Sequence, residues 1–225
     1  MINFNLYLIT DRHQTKGQPL TAVVEEALKG GAKAVQLREK DLSARELFEL
    51  ALSMRRVTKD YGAKLFINDR VDIAMAVKAD GVHLGQNCFS ARDVRKIFAK
   101  GIIGVSTHLL KEARRAWDEG ADFITLGPIF HTSSKASYGE PLGIEIIKKV
   151  KAEIKMPVFA IGGIKNNNIK GVINAGADGV AIISAIIGAE DAGKAAQEIV
   201  ASCKLRIQAK ILNLKLESCN LHLHC

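Results

Sequence analysis

"GADGVAIIS", residues 176–184, decides how this chain is built. Gly176 can end a helix and turn it sharply, and the apolar run that follows is short and rich in β-branched residues, as a buried strand is. A related order, alanine and a polar residue ahead of an apolar run, stands at "GAKAVQL" (31–37), "KADGVHLG" (78–85) and "GADFITLG" (120–127). One helix-to-strand joint is therefore written four times.

Working outward, the strand candidates are "LYLIT" (6–10), "AVQL" (34–37), "KLFIN" (64–68), "GVHLG" (81–85), "IIGVS" (102–106), "FITLG" (123–127), "VFAIGG" (158–163) and "GVAIIS" (179–184). The stretches between them, such as "LTAVVEEALKGG" and "GIEIIKKVKAEI", carry apolar residues at helical spacing. Eight strands, each followed by a helix, predict a single α/β domain, a (β/α)8 TIM barrel with strands inside and helices outside. The four joints precede strands two, four, six and eight, so a two-unit module repeats.

Composition fits this fold. The 225 residues are 48% apolar and 25% charged with only four prolines, and no linker divides them. The net charge of +8 suggests a polyanion partner, but residues 203–225 alone hold four bases against one acid. Acids and bases alternate along the rest, and aromatics at 5% leave few stacking platforms, so nucleic acid is not the expected partner. The opening "MINFNLYLITDR" is too polar for a signal peptide, and no apolar run reaches membrane-span length. Of four cysteines only Cys88 lies in the body, which is no disulfide framework, so the expected location is the cytoplasm, away from membranes.

In such barrels chemistry gathers where strands end and run into helices. That rim collects Thr10 and Asp11, "QLREK" (36–40), "NDR" (68–70), "GQNC" (85–88), "STH" (106–108), "GPIFHTSSKASYG" (127–139), "IGGI" (161–164) and Ile183–Ser184. Period-two alternation sets Gln36, Arg38 and Lys40 on one face and Leu37 and Glu39 on the other. Two permanent cations at a barrel mouth call for an anion such as pyrophosphate; the plainer alternative is a surface charge cluster opening a helix. Asp69 either caps the helix beginning near Val71 or holds Mg²⁺, which takes few protein ligands beside waters and phosphate oxygens. "IGGI" lets the backbone approach a ligand closely at Gly163, and "ISAI" opens a helix whose free N–H groups attract phosphate. Thr132, Ser133, Ser134 and Lys135 then form either an ordinary polar connection or a bridge between two phosphate sites. His108 and His131 read as incidental loop histidines.

Together these motifs resemble the thiamine-phosphate synthases. "YLITD", "VQLREK", "FINDRVDIA", "ADGVHLGQ", "GVSTH", "LGPIFHTSSK", "AIGGI" and "GADGVAIISAI" stand in that family's order across about residues 5 to 202. The resemblance implies a transferase that joins 4-amino-2-methyl-5-(diphosphomethyl)pyrimidine to thiazole phosphate, giving thiamine phosphate and pyrophosphate. It implies two phosphorylated small-molecule substrates and Mg²⁺ as cofactor. By the same resemblance Gln36, Arg38, Lys40, Asn68, Ser106 and Lys135 hold the pyrimidine diphosphate, with Arg38, Lys40, Ser106 and Lys135 acting in catalysis. Asp69 is the implied Mg²⁺ ligand. Thr132, Ser134, Gly163, Ile183 and Ser184 are implied to hold the thiazole phosphate, the last three partly through backbone N–H groups.

One departure stands out. After "LGQ" the family has an acidic pair whose second member is a further Mg²⁺ ligand; here Asn87 and Cys88 occupy the pair, and a neutral thiol suits a hard cation poorly. Two other readings stay open. The sister thiazole tautomerases share the barrel, "VDIA" and the "FS" at Phe89–Ser90, and a non-catalytic relative could keep the phosphate pocket. Asp69 and Pro128 favour the synthase, since in the tautomerases that aspartate is lost and a histidine stands at the proline's position. Residues 1–202 are thus the expected barrel domain. Residues 203–225 lie beyond the resemblance and read as a C-terminal extension, amphipathic or poorly ordered.

Overall fold

The computed structural model describes residues 2–132 and 140–203. Eight parallel strands close a barrel in chain order: β1 (Leu6–Ile9), β2 (Ala34–Leu37), β3 (Lys64–Asn68), β4 (Gly81–Leu84), β5 (Ile102–Thr107), β6 (Phe123–Leu126), β7 (Val158–Ile161) and β8 (Gly179–Ile182). β8 pairs back onto β1 with Tyr7 opposite Ala181. The helices are α1 (Leu20–Lys29), α2 (Ala44–Asp60), α3 (Val71–Ala76), α4 (Ala91–Ile97), α5 (Leu110–Asp118), α6 (Glu145–Glu153), α7 (Ile169–Asn174) and the short α8 (Ser184–Ile187). The chain is helical again over 192–203, and this last helix meets the end of α1 backbone to backbone: a Cβ on Gly30 would sit 2.1 Å from the Gly193 carbonyl oxygen. Cys203 ends that described stretch fully buried in the outer core, where burial pushes its thiol up to about 12.

Strand alternation sorts the apolar residues into two cores. Outward residues such as Leu8, Val35, Leu65 and Val180 pack beneath the helices. Inward ones, Tyr7, Phe66, Phe123 and Phe159 with Phe4 beside them, fill the barrel. Large rings fit because small residues face them across the ladder. Phe66 is in register with Gly81, Phe123 with Gly104 and Phe159 with Gly179. A Cβ on those glycines would lie 2.6, 2.4 and 2.5 Å from a ring atom. The rings meet edge to face, Phe66 to Phe123 at 5.6 Å and Phe123 to Phe159 at 5.5 Å between centroids. Among the described residues these rings fill the lower barrel.

The repeated joint has a physical reason. Asp80, Asp122 and Asp178 each stand just before an even-numbered strand, and each accepts a main-chain N–H from the strand before it: Leu65 at 2.9 Å, Ile103 at 2.7 Å and Val158 at 2.8 Å. Each also pairs with a cation on the helix that feeds that preceding strand: Arg55 at 2.6 Å, Arg95 at 2.6 Å and Lys151 at 2.8 Å. One carboxylate thus ties two strands and a helix together. In the first joint Lys33 takes the position instead and donates to the Tyr61 carbonyl at 3.1 Å.

Candidate active site

Among the cavities of the C-terminal rim, two adjoin. The first, about 340 Å³, is lined by Gln36, Arg38, Lys40, Asn68, Asp69 and Ser106. These are all the described residues expected to hold the pyrimidine diphosphate and its metal; Lys135 lies outside the described residues. Arg38 is half-buried and Lys40 exposed, and among the described residues neither forms an ion pair. Gln36 is 1% exposed, and its Nε2 donor makes no hydrogen bond of normal length and angle among the described residues, with only the Tyr7 hydroxyl interacting weakly with this side chain. A buried unpaired donor costs about 1–3 kcal/mol unless something arrives to accept from it.

Asp69 does not cap the next helix: α3 begins at Val71 without any side-chain cap. Its backbone is left-handed, with φ 57°, a conformation aspartate tolerates better than most residues. That turn sends the carboxylate toward β4. Oδ1 accepts the Gly85 N–H at 2.6 Å, Oδ2 accepts from Asn68 Nδ2 at 2.8 Å, and the Asp69 N–H donates to the His83 carbonyl at 2.9 Å. The half-buried Cys88 thiol donates to the Asp69 carbonyl at 3.6 Å and lines a neighbouring cleft, while Asn87 lines the cavity. Burial first, then the Asp69 charge, raises the Cys88 pKa and keeps it a thiol.

The same cavity is also lined by a polar group that the rim motifs did not reveal. His83, 2% exposed, has Nε2 3.0 Å from Ser106 Oγ and 3.4 Å from Thr125 Oγ1, and Nδ1 3.4 Å from the Tyr7 hydroxyl. Burial raises the Tyr7 pKa well above the ordinary phenol value, so its hydroxyl keeps its proton. The signal that could have found these residues is parity: His83 sits two residues before Gly85 on an inward-facing row.

The second cavity, about 590 Å³, opens beside β7 and β8 and is lined by Thr132, Gly163, Lys165, Ile183 and Ser184. Ser134 lies outside the described residues. Gly163 has φ 62°, and a Cβ there would meet the His131 carbonyl oxygen at 2.5 Å and Phe130 Cβ at 2.8 Å, so only glycine keeps this wall open. Ile161 and Ile183 line both cavities, which makes them the shared wall.

Metal-binding capacity at this rim is modest. Among the described residues no group of three or more His, Cys, Asp or Glu side chains converges on one point. Asp69 offers hard oxygens beside a cation-lined cavity, a donor set that fits Mg²⁺ shared with a diphosphate rather than caged by protein alone.

Fold and rim together define a (β/α)8 barrel with paired anion-suited cavities at its C-terminal face. The chain belongs to the thiamine monophosphate synthase family, which matches it over residues 6–186. A Geobacter sulfurreducens relative is 55% identical over 201 residues, spanning 89% of this chain and 94% of its own. The thiamine-phosphate synthase of Moorella thermoacetica is 46% identical over 200 residues, 88% of this chain and 95% of that one. Among solved structures, thiamine phosphate pyrophosphorylase from Pyrococcus furiosus superposes with a TM-score of 0.84 at 40% identity, covering 90% of this chain and 96% of the other. No helix of the described residues is long and apolar enough to cross a membrane.

Proposed function

We propose that this enzyme condenses 4-amino-2-methyl-5-(diphosphomethyl)pyrimidine with thiazole phosphate to give thiamine phosphate and pyrophosphate. The observation that carries this reading is the wall shared by the two cavities, one cation-lined and one glycine-lined. Two substrates with outward phosphates would present their reacting ends to each other there.

In this reading Arg38, Lys40 and Lys135 draw charge onto the departing pyrophosphate. The bond between the pyrimidine methylene carbon and the diphosphate oxygen breaks, and the electron pair leaves with pyrophosphate. The thiazole nitrogen then shares its lone pair with that carbon. No proton need be removed, so charge stabilisation and alignment carry the catalysis. Gln36, Asn68 and Ser106 orient the pyrimidine diphosphate, the Gln36 donor supplying one hydrogen bond. Thr132, Ser134, Gly163, Ile183 and Ser184 seat the thiazole phosphate. When bound, Mg²⁺ supplies further neutralisation of the diphosphate; Asp69 would hold it, with Asn87 rather than Cys88 facing the same cavity.

The test is incubation of the protein with both substrates and Mg²⁺. Thiamine phosphate and pyrophosphate appearing one for one supports the reading. Isomerisation of a thiazole phosphate with no use of the pyrimidine would replace it with a tautomerase. Binding of both substrates without product would leave a non-catalytic relative.

A further inference from the structure

Four consecutive charges, Arg38, Glu39, Lys40 and Asp41, follow β2, and such a run can neutralise itself. Here it does not. Glu39 turns inward with a side chain only 2% exposed, accepting from Thr10 Oγ1 at 2.6 Å, from the Arg12 N–H at 3.1 Å and from Arg12 Nη1 at 3.4 Å. Asp41 takes both arms of the Arg12 guanidinium, at 2.5 and 2.6 Å, and lies 3.1 Å from His13 Nε2. The Arg12 hydrogen bonds hold the Asp41 carboxyl below the usual carboxylate range. Thr10 completes the arrangement, its Oγ1 accepting the Arg38 N–H at 2.9 Å. Both acids of the run are therefore claimed by the segment after β1, and both bases are left without an ion pair among the described residues.

We propose that Arg12 is a positioning residue of the diphosphate cavity: as counter-ion to Glu39 and Asp41, it keeps Arg38 and Lys40 uncompensated for the incoming anion. This rests on the diphosphate reading of that cavity. Without Arg12, two acids flanking the cationic arm turn to its own bases and compete with the ligand. The role is electrostatic, so it has a signature that a packing role lacks: removing the acids should repair the loss of the base.

The experiment titrates Mg²⁺ with inorganic pyrophosphate into the whole protein by calorimetry, alongside the thiamine phosphate assay. Arg12→Met is expected to weaken pyrophosphate binding about tenfold and to raise KM for the pyrimidine diphosphate more than it lowers kcat. Adding Glu39→Gln and Asp41→Asn to Arg12→Met is expected to return affinity to within about threefold of the natural protein. A triple variant as weak as Arg12→Met, or an Arg12→Met protein that binds normally, overturns the proposal. Should Arg12→Met fail to fold, Arg12→Lys decides: it keeps the charge and loses the fork, so binding within about threefold supports the counter-ion role and a tenfold loss overturns it. A natural protein that binds pyrophosphate yet forms no thiamine phosphate refutes the function while leaving this role standing; one that does not bind pyrophosphate refutes this role, and the thiamine phosphate assay alone decides the function.

Discussion

At the rim where the strands begin, Asp80, Asp122 and Asp178 each hold a strand N–H and a helix cation. At the opposite rim Arg38 and Lys40 face a cavity with no carboxylate paired to them among the described residues. The same residue types thus serve opposite ends. Where charge is matched inside the chain, it fastens strands; where the neighbouring acids are drawn aside by Arg12, Arg38 and Lys40 keep no ion pair among the described residues. Unmatched charge near a half-buried site lowers stability, and a ligand restores it.

This contrast can be broken from either side. The largest effect is expected from Arg38→Ala, which should lower kcat/KM for thiamine phosphate formation about 10²–10³-fold while leaving the urea unfolding midpoint unchanged or raised. Asp80→Ala should do the reverse. It strips the Leu65 N–H and Arg55 of their partner, so unfolding free energy should fall by about 1–3 kcal/mol with kcat/KM of the folded enzyme intact. Activity lost with Asp80→Ala, or stability lost with Arg38→Ala, would show that the two rims are not separate in function.

A smaller effect is expected at the metal position. Cys88→Asp should lower the Mg²⁺ concentration for half-maximal activity by about tenfold or less, provided the new carboxylate swings into the cavity that Asn87 now lines. No change would mean that position 88 keeps facing the neighbouring cleft. The smallest concerns pH. The Asp41 carboxyl lies below its unfolded value, so its contribution to stability is complete above about pH 4 and is lost as pH falls through the folded value. Melting Asp41→Asn beside the natural protein should show a small difference at neutral pH that closes in acid; a gap that widens in acid would contradict the sign.

Much of the barrel and its rim is legible in the sequence because it depends on short-range pattern. The β-branched runs and their spacing give the barrel, and period-two counting alone puts Gln36, Arg38 and Lys40 on one face, where all three line the cavity. Asp69 is legible only as an alternative between cap and ligand, because what draws it away from the helix is the Gly85 N–H just past β4. Tyr7 and His83 stay hidden inside apolar strands, where a polar residue on the inward row looks like ordinary filling. The joint aspartates are visible as a repeat, but their partners Arg55, Arg95 and Lys151 lie 25 or more residues away. Arg12 gives no signal for the same reason: its partners arrive from the segment after β2.

The most direct measurement of the central contrast is the thermal midpoint of the natural protein and of Arg38→Ala/Lys40→Ala, each with and without Mg²⁺ and pyrophosphate. The natural protein should be stabilised by the ligand. The double variant should melt no lower than the natural protein when both are free of ligand, and pyrophosphate should not move it. A double variant that is less stable and still shifted by pyrophosphate would show that these cations hold the fold rather than the ligand.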